Sequence, residues 1–448
     1  MAIPTDRASF RAALRENYAM AKERIDSSTE KHRMGDIAIR VVDGHNRPIA
    51  GAAVKTEQTG GDVRFGANSF LLGGNGSPEL DRRWEELFAD VFDLAVVPFF
   101  WKDLEPEQGK PRFDMKSPAR YRRPPPDAVL DFCRRHGIEP KAHTLTYQQF
   151  NPDWMSNDPD ECEQMYEAWY AQVGERYRSS IPSWDVVNEA VSRYGWTSSL
   201  QPLPRDWIAW SFAAARRHFP GCRLILNDDT AAWSNRGYHY FGRETHPFVL
   251  LIENMLLKGV PIDEIGLQFH LMDHQESDTW KRASGHLDEE RLLEPAELLR
   301  VLDHYARFGR PIHISEITVP CFGTTDDDEA LQAEIAEMLY RTWFSHPAVA
   351  SIVWWNVVDG HAYGKEGELR GGLVNKDLAT KAVYRTLLHL IRTEWRTTTN
   401  GSTDATGTYS IRAYHGHHHV RVTAAGKTTE VDLVLRSDTT CQTVIFIG

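Results

Sequence analysis

"PDAVLDFCRRHGIEPKAHTLTY", residues 126–147, sets an amphipathic stretch of helical period directly before a short apolar run of strand character. The same pairing recurs along the chain. Strand patterns fall at 63–71, 94–101, 140–147, 183–190, 223–229, 262–271, 311–318 and 351–359. Helical patterns such as 78–92, 126–137, 161–179, 205–219, 295–309 and 327–344 lie between them, and 381–395 follows the last strand. Eight strand-plus-helix units over about 330 residues predict an α/β fold, a closed parallel (β/α)8 or TIM barrel, rather than an open doubly wound sheet. No Gly-rich phosphate loop opens any of these helices, so the usual signature of nucleotide binding is missing.

The flanks read differently. A helical pattern at 8–26 precedes "GDIAIRVVDGHNRPIAGAAVKTEQ" (35–58), which alternates around DG and RP turn signals. After Trp395 the chain passes through TTTNGSTDATG into YSIRAYHG, HHVRVTAAG and TEVDLVLRS, again of strand period. Each flank is too small to bury much alone, so the two are expected to pair into one accessory β module. The expected division is 1–60 and 396–448 for that module and 61–395 for the barrel. His415, His417, His418 and His419 around Gly416 resemble a metal tract. With no Cys or carboxylate beside them in sequence, the expectation is a solvated hairpin edge and no metal.

A composition of 41% hydrophobic and 25% charged residues over 448 positions is ordinary for a globular chain. The net charge of −12, without a dense Lys/Arg block, argues against nucleic acid or an anionic membrane as partner. A neutral substrate fits better. Fourteen Trp residues suit flat apolar faces such as sugar rings. Five scattered Cys give neither a disulfide framework nor paired metal spacing. The opening MAIPTDRASFRAALRENYAM has no apolar signal core, and no run reaches the roughly 18 residues of a membrane span. The expectation is a soluble chain, cytoplasmic as written or secreted after loss of a leader; its oligomeric state is not encoded in any pattern found.

Active sites of such barrels sit where the strands end. The strand ends supply Phe100, Trp101 and Lys102; His143 and Tyr147; Asn188 and Glu189; Asn227, Asp228 and Asp229; Gln268 and His270; Glu316; Trp354, Trp355 and Asp359. Among them, Glu189 and Glu316 stand on opposite sides of the barrel mouth. Paired carboxylates across a cleft are what glycosidic cleavage requires, one to protonate the departing oxygen and one to act at the anomeric carbon. Plainer readings exist: Asn188 and Glu189 as helix caps, Glu316 as the partner of a barrel Arg, and His143 and His270 as core histidines. Trp354 is expected in the core and Trp355 in the site, because strand neighbours face opposite ways.

WDVVNEA (184–190), HISEI (313–317) and IGLQFH (265–270) resemble the acid/base, nucleophile and Gln-x-His segments of family 10 glycoside hydrolases, the xylanase family. EPEQGKPRFD (105–114), AHTLTY (142–147), LILNDD (224–229), WWNVVDGHAY (354–363) and KAVY (381–384) follow in the family's order. The resemblance implies a retaining enzyme with Glu189 as general acid/base and Glu316 as nucleophile. It implies Asn188 as donor to the sugar 2-hydroxyl, His270 as partner of Glu316, and Gln268 as the residue orienting the acid/base. His143 and Trp355 would contact the central sugar, Trp355 as its floor. No cofactor is implied.

The chain departs from the family where the glycone is held. Aligning Trp101 puts Val97 at the family's Asn and Phe100 at its Lys; Lys102, two residues on, is expected on the same strand face as a partial replacement. Tyr147 and Gln148 stand at the Trp and His after AHTLT, Thr318 at the Asp two residues past the nucleophile, and Tyr363 at an aglycone-side Trp. The expectation is a retaining β-glycosidase acting on xylan or a related β-linked carbohydrate. The alternatives are an exo-acting or aryl-β-glycosidase with an altered glycone pocket, and a non-catalytic carbohydrate-binding relative.

Overall fold

The computed structural model describes residues 7–191, 206–229, 246–271, 294–321, 323–437 and 441–447. A long helix α1 (Arg7–Arg33) leads into strands β1 (Met34–Asp43) and β2 (Ala53–Gly61). Eight parallel strands follow: β3 (Arg64–Asn68), β4 (Leu94–Pro98), β5 (Glu139–Thr146), β6 (Ser183–Asn188), β7 (Arg223–Asp229), β8 (Glu264–Gln268), β9 (Ile312–Ile317) and β10 (Val349–Trp354). They pair in chain order, and β10 closes on β3 to make the expected barrel.

Local chemistry explains the repeating unit. In the stretch quoted at the outset, Pro126 occupies the first helical turn, where its missing N–H costs nothing. Gly137 then ends the helix in the left-handed conformation (φ 65°). Between them, helix α4 (Pro126–His136; α2 is Pro78–Val91 and α3 the turn Trp101–Leu104) turns Val129, Phe132 and Cys133 onto the barrel. The remaining helices are α5 (Pro159–Tyr177), α6 (Trp207–His218), α7 (Pro247–Leu257), α8 (Pro295–Ala306), α9 (Asp326–Ser345) and α10 (Ala382–His389). The sequence pattern leaves α7 unmarked because PFVLLIENMLL lacks a clean polar face; it exposes Leu250 and Leu257. Among the described residues no helix is long and apolar enough to cross a membrane.

The flanking strands build two sheets that mix both ends of the chain. Strands β11 (Thr398–Ser402), β12 (Thr408–Tyr414), β13 (Gly416–Ala424), β14 (Lys427–Leu435) and β15 (Cys441–Ile447) supply the C-terminal half. One sheet has the order β12-β1-β15 and the other β11-β2-β13-β14. Ile37, Ile39, Val41, Val54, Val420, Val422 and Ile445 form an apolar cluster of their own. The hairpin-edge expectation for the histidines is corrected here. Gly416 opens β13, an interior strand between β2 and β14, and His415 and His418 are buried. The strand that covers this run, β2, lies more than three hundred residues earlier in the chain, so no local pattern discloses it.

Arg33 joins these sheets to the barrel. Buried at the end of α1, its guanidinium donates to the carbonyls of Phe344 (2.6 Å), His346 (2.5 Å) and Val349 (2.8 Å), in the turn between α9 and β10. Replacing it leaves buried acceptors unpaired, at about 1–3 kcal/mol for such a group. Arg33→Ala is expected to lower stability by about 3 kcal/mol, read as a melting point several degrees below wild type. An unchanged melting point removes this joint from the account.

Candidate active site

The barrel interior is polar at mid-height. Asp185 of β6, fully buried, accepts from Lys141 Nζ (2.5 Å) and pairs with His143 Nδ1 (2.8 Å), both from β5. Burial pushes the Asp185 carboxyl up, but the Lys141 charge and the His143 bond outweigh it, so the group sits below the usual carboxylate range. Its stabilising effect is therefore present above the unfolded value of about 3.9 and is lost as pH falls through the lower folded value.

Above this layer, Asn188 ends β6 and Glu189 turns out of it with φ 52°, in the left-handed region that non-glycine residues seldom occupy. The Glu189 N–H is held by the Asn227 carbonyl (2.9 Å). Asn227 Nδ2 donates to Asn188 Oδ1 (2.7 Å) and to Glu316 Oε1 (3.1 Å). Gln268 Nε2 lies at the centre of the group. It reaches Glu316 Oε1 at 3.0 Å, Glu189 Oε1 at 3.2 Å and Asn188 Oδ1 at 3.3 Å. Those carboxylate oxygens therefore lie no further apart than two hydrogen bonds laid end to end. Tyr147 donates to Glu189 Oε2 (2.5 Å), and His270 Nε2 lies 3.0 Å from Glu316 Oε2. Glu316 is 3% exposed and Glu189 half-buried.

An aromatic wall borders the pair. Trp355 packs against Phe70 (5.4 Å), His143 (5.3 Å) and His270 (6.0 Å), while Trp354 is buried in the main core, as strand alternation predicts. The structure thus brings together Glu189, Glu316, Asn188, Gln268, His270, Tyr147, His143 and Trp355.

Three expected residues lie elsewhere. Trp101 is turned into the core, stacked on Trp169 (4.9 Å) with its indole N–H on Glu105 Oε2 (2.8 Å). Lys102 lies in the helical turn α3, because β4 already ends at Pro98, so the strand-face argument does not apply; its ammonium pairs with Asp153. Tyr363 is an exposed rim residue, 6.5 Å from the Phe150 ring.

At the positions that depart from the family, Val97 is buried in the main core and Phe100 faces His143 at 5.5 Å. The Arg123 guanidinium lies 4.1 Å over the Phe100 ring and is paired with Asp103 at 2.7 Å. Arg122, Arg123, Asn356, Glu366 and Asp185 escaped the sequence reading. Only Asp185 carried a signal, a charged residue inside an otherwise apolar barrel strand.

Paired carboxylates at the C-terminal mouth of such a barrel define the glycosidase class of site. The sequence profile of Glycosyl hydrolase family 10 matches residues 99–390, and the chain belongs to that family. It is 25% identical over 413 residues to the anti-sigma-I factor RsgI6 of Acetivibrio thermocellus, covering 91% of this chain and 47% of that protein, so it spans about half of that relative's length. It is also 25% identical over 322 residues to the endo-1,4-beta-xylanase of Geobacillus stearothermophilus, covering 66% of this chain and 87% of that one. Among solved structures, xylanase 10B from Thermotoga petrophila in complex with xylobiose superposes with a TM-score of 0.57 at 21% identity, covering 74% of this chain and 95% of that one. This likeness shows the fold.

The buried triad beneath the site is open to test. Asp185→Ala strands Lys141 as an uncompensated interior cation and is expected to cost about 3–5 kcal/mol in denaturant unfolding. The double variant Asp185→Leu with Lys141→Met is expected to recover most of it. A double variant no better than the single one contradicts this electrostatic account.

Proposed function

We propose that the chain is a retaining β-glycoside hydrolase acting on xylan or a related β-linked plant polysaccharide or oligosaccharide. The observation that carries this reading is the shared amide: Gln268 Nε2 bonds both Glu189 and Glu316. A pair held this closely falls short of the ~6.5–9.5 Å that inversion needs for an interposed water and suits the ~5–5.5 Å of retention.

The surroundings support a division of roles. Glu316 takes donors from Gln268, Asn227 and His270, which fix its orientation and suit a nucleophile. Glu189, half-buried and bonded to the Tyr147 hydroxyl, is the acid/base. In the first step Glu189 protonates the glycosidic oxygen while Glu316 attacks the anomeric carbon, forming a glycosyl ester and releasing the aglycone. Glu189 then takes a proton from water, whose oxygen displaces Glu316 and restores both groups. Asn188 Nδ2 is buried with no hydrogen-bond partner among the described residues and is the donor assigned to a sugar hydroxyl. Trp355 and His143 line the sugar's other side.

Two further readings each rest on one observation. The replacement of polar glycone contacts by Phe100 beneath Arg123 favours an exo-acting or aryl-β-glycosidase, since a pocket that loses hydroxyl-reading donors accepts different sugars. The aromatic wall of Trp355 and Phe70 is what a non-catalytic carbohydrate-binding relative would use, and the retention of both Glu189 and Glu316 speaks against that reading.

Hydrolysis of xylan, decorated xylo-oligosaccharides and aryl-β-glycosides, with the first product's anomer followed by NMR, separates these. Retained configuration is expected. Glu316→Gln is expected to abolish turnover while carbohydrate binding persists, and Glu189→Ala to lose about 10²–10⁴-fold in kcat. Wild-type binding without turnover on every substrate rejects the hydrolase in favour of the binding reading.

A further inference from the structure

The second nitrogen of His270 leads away from the cleft. Its Nδ1 lies 3.1 Å from Thr318 Oγ1, and the Thr318 hydroxyl donates to Glu366 Oε1 at 2.6 Å. Glu366 sits in the short 3₁₀ turn Gly364–Leu369 and also accepts from Asn356 Nδ2 (2.7 Å), whose Oδ1 is held by Arg122 (3.1 Å).

Donor and acceptor counting fixes the protons. A carboxylate only accepts, so Thr318 spends its one O–H on Glu366 and offers a lone pair to His270. Nδ1 must then carry a proton. On the other side Nε2 faces Glu316, another carboxylate, and must carry one as well. A neutral imidazole has a single N–H, so either neutral tautomer sets a lone pair against an acceptor. Only the imidazolium satisfies both contacts.

We propose that Glu366, acting through Thr318, is a positioning residue that keeps His270 doubly protonated against Glu316. The threonine passes on a hydrogen bond, and the glutamate supplies the charge that Thr318 itself lacks. The inference rests on the reading of Glu316 as nucleophile only for its catalytic consequence, a cation held beside the attacking carboxylate.

The charges around His270 agree. Burial pushes the imidazole pKa down, but the hydrogen bond and charge of Glu316, with Glu366 and Asp229 at longer range, more than offset it, and the net shift is upward. Of the other charged groups nearby, Glu189 is separated from His270 by the Gln268–Glu316 contacts, and the Arg122 guanidinium is bonded to Asn356 with Glu366 as a neighbouring charge.

The test is a histidine ¹⁵N NMR titration of the full chain, with the His270 signal assigned by its loss in His270→Asn. Glu366→Gln is expected to lower the His270 pKa by about one unit. It is also expected to move the acid limb of kcat/KM on xylan to higher pH. Glu366→Asp, which keeps the charge, is expected to restore much of both, and Glu368→Gln, exposed on the same turn, to change neither. Thr318→Val cuts the relay without touching the Glu366 charge and is expected to lower the His270 pKa even if Glu366→Gln does not fold. An unchanged His270 pKa in Glu366→Gln, or equal shifts in the Gln and Asp variants, overturns the proposal. A chain without turnover instead sinks the hydrolase reading and leaves the His270 titration to decide this one.

Discussion

Two carboxylates can share a half-buried cleft only if something spreads their charge, because like charges at short range drive one of them to hold a proton. Here that office falls to two side-chain amides on adjacent strands, Asn227 and Gln268. Their placement depends on strand register. Asn188 pairs with Asn227 across β6 and β7, and Gln268 with Glu316 across β8 and β9; between the two pairs Asn227 stands beside Gly266, two residues before Gln268, so both amides come from the same face at the ends of neighbouring strands. A slip of one residue in β8 would turn Gln268 toward the helices and leave the carboxylates without their common donor.

Those positions are reached through irregularities. On β6 the register shifts between Asp185 and Val187, and on β8 and β9 it shifts again just before Gln268 and Glu316. In a regular strand, residues three apart face opposite sides, so Asp185 and Asn188, or His313 and Glu316, could not all point inward. The extra residue restores the inward direction at the barrel mouth, as bulges beside active sites commonly do. One strand can thus serve two layers, with Asp185 bonded to Lys141 and His143 in the interior and Asn188 and Glu189 at the cleft.

The same irregularities mark what was legible in the sequence. Eight strands in order, the intervening helices other than α7 and the two glutamates follow from periodicity and strand-end chemistry, because burial imposes those patterns locally. The end of β4 does not: LAVVPFFW is apolar throughout, and nothing in it shows that the strand stops at Pro98 and that Trp101 turns into the core. Non-local partners were equally hidden. His418 reads as a surface residue until β2 covers it, and neither Arg123 nor Glu366 lies at a strand end, where the working groups of such barrels gather. Loops that return to the cleft from between elements leave no periodic trace.

The segment after β10 shows how such a loop is made definite. Lys381, buried near its end, donates to the Arg370 carbonyl (2.7 Å), the Gly372 carbonyl (3.0 Å) and Asp359 Oδ1 (3.1 Å). Asp359 Oδ1 also receives the Gly372 N–H (2.8 Å), so a cation with three acceptors cinches the loop at its base. From that base the chain presents Trp355 to the aromatic wall, Asn356 and Glu366 toward the His270 side of the site, and Tyr363 to the rim. Arg122 and Arg123, from the segment before α4, close on the same region through Asn356 and Phe100. The base is held because its cation is buried and bonded to three acceptors, whereas Tyr363 at the rim is exposed. The departures from the family accordingly fall into two kinds: Tyr147 and Thr318 bond Glu189 and His270 directly, whereas Phe100 and Tyr363 border the cleft without a hydrogen bond to either glutamate.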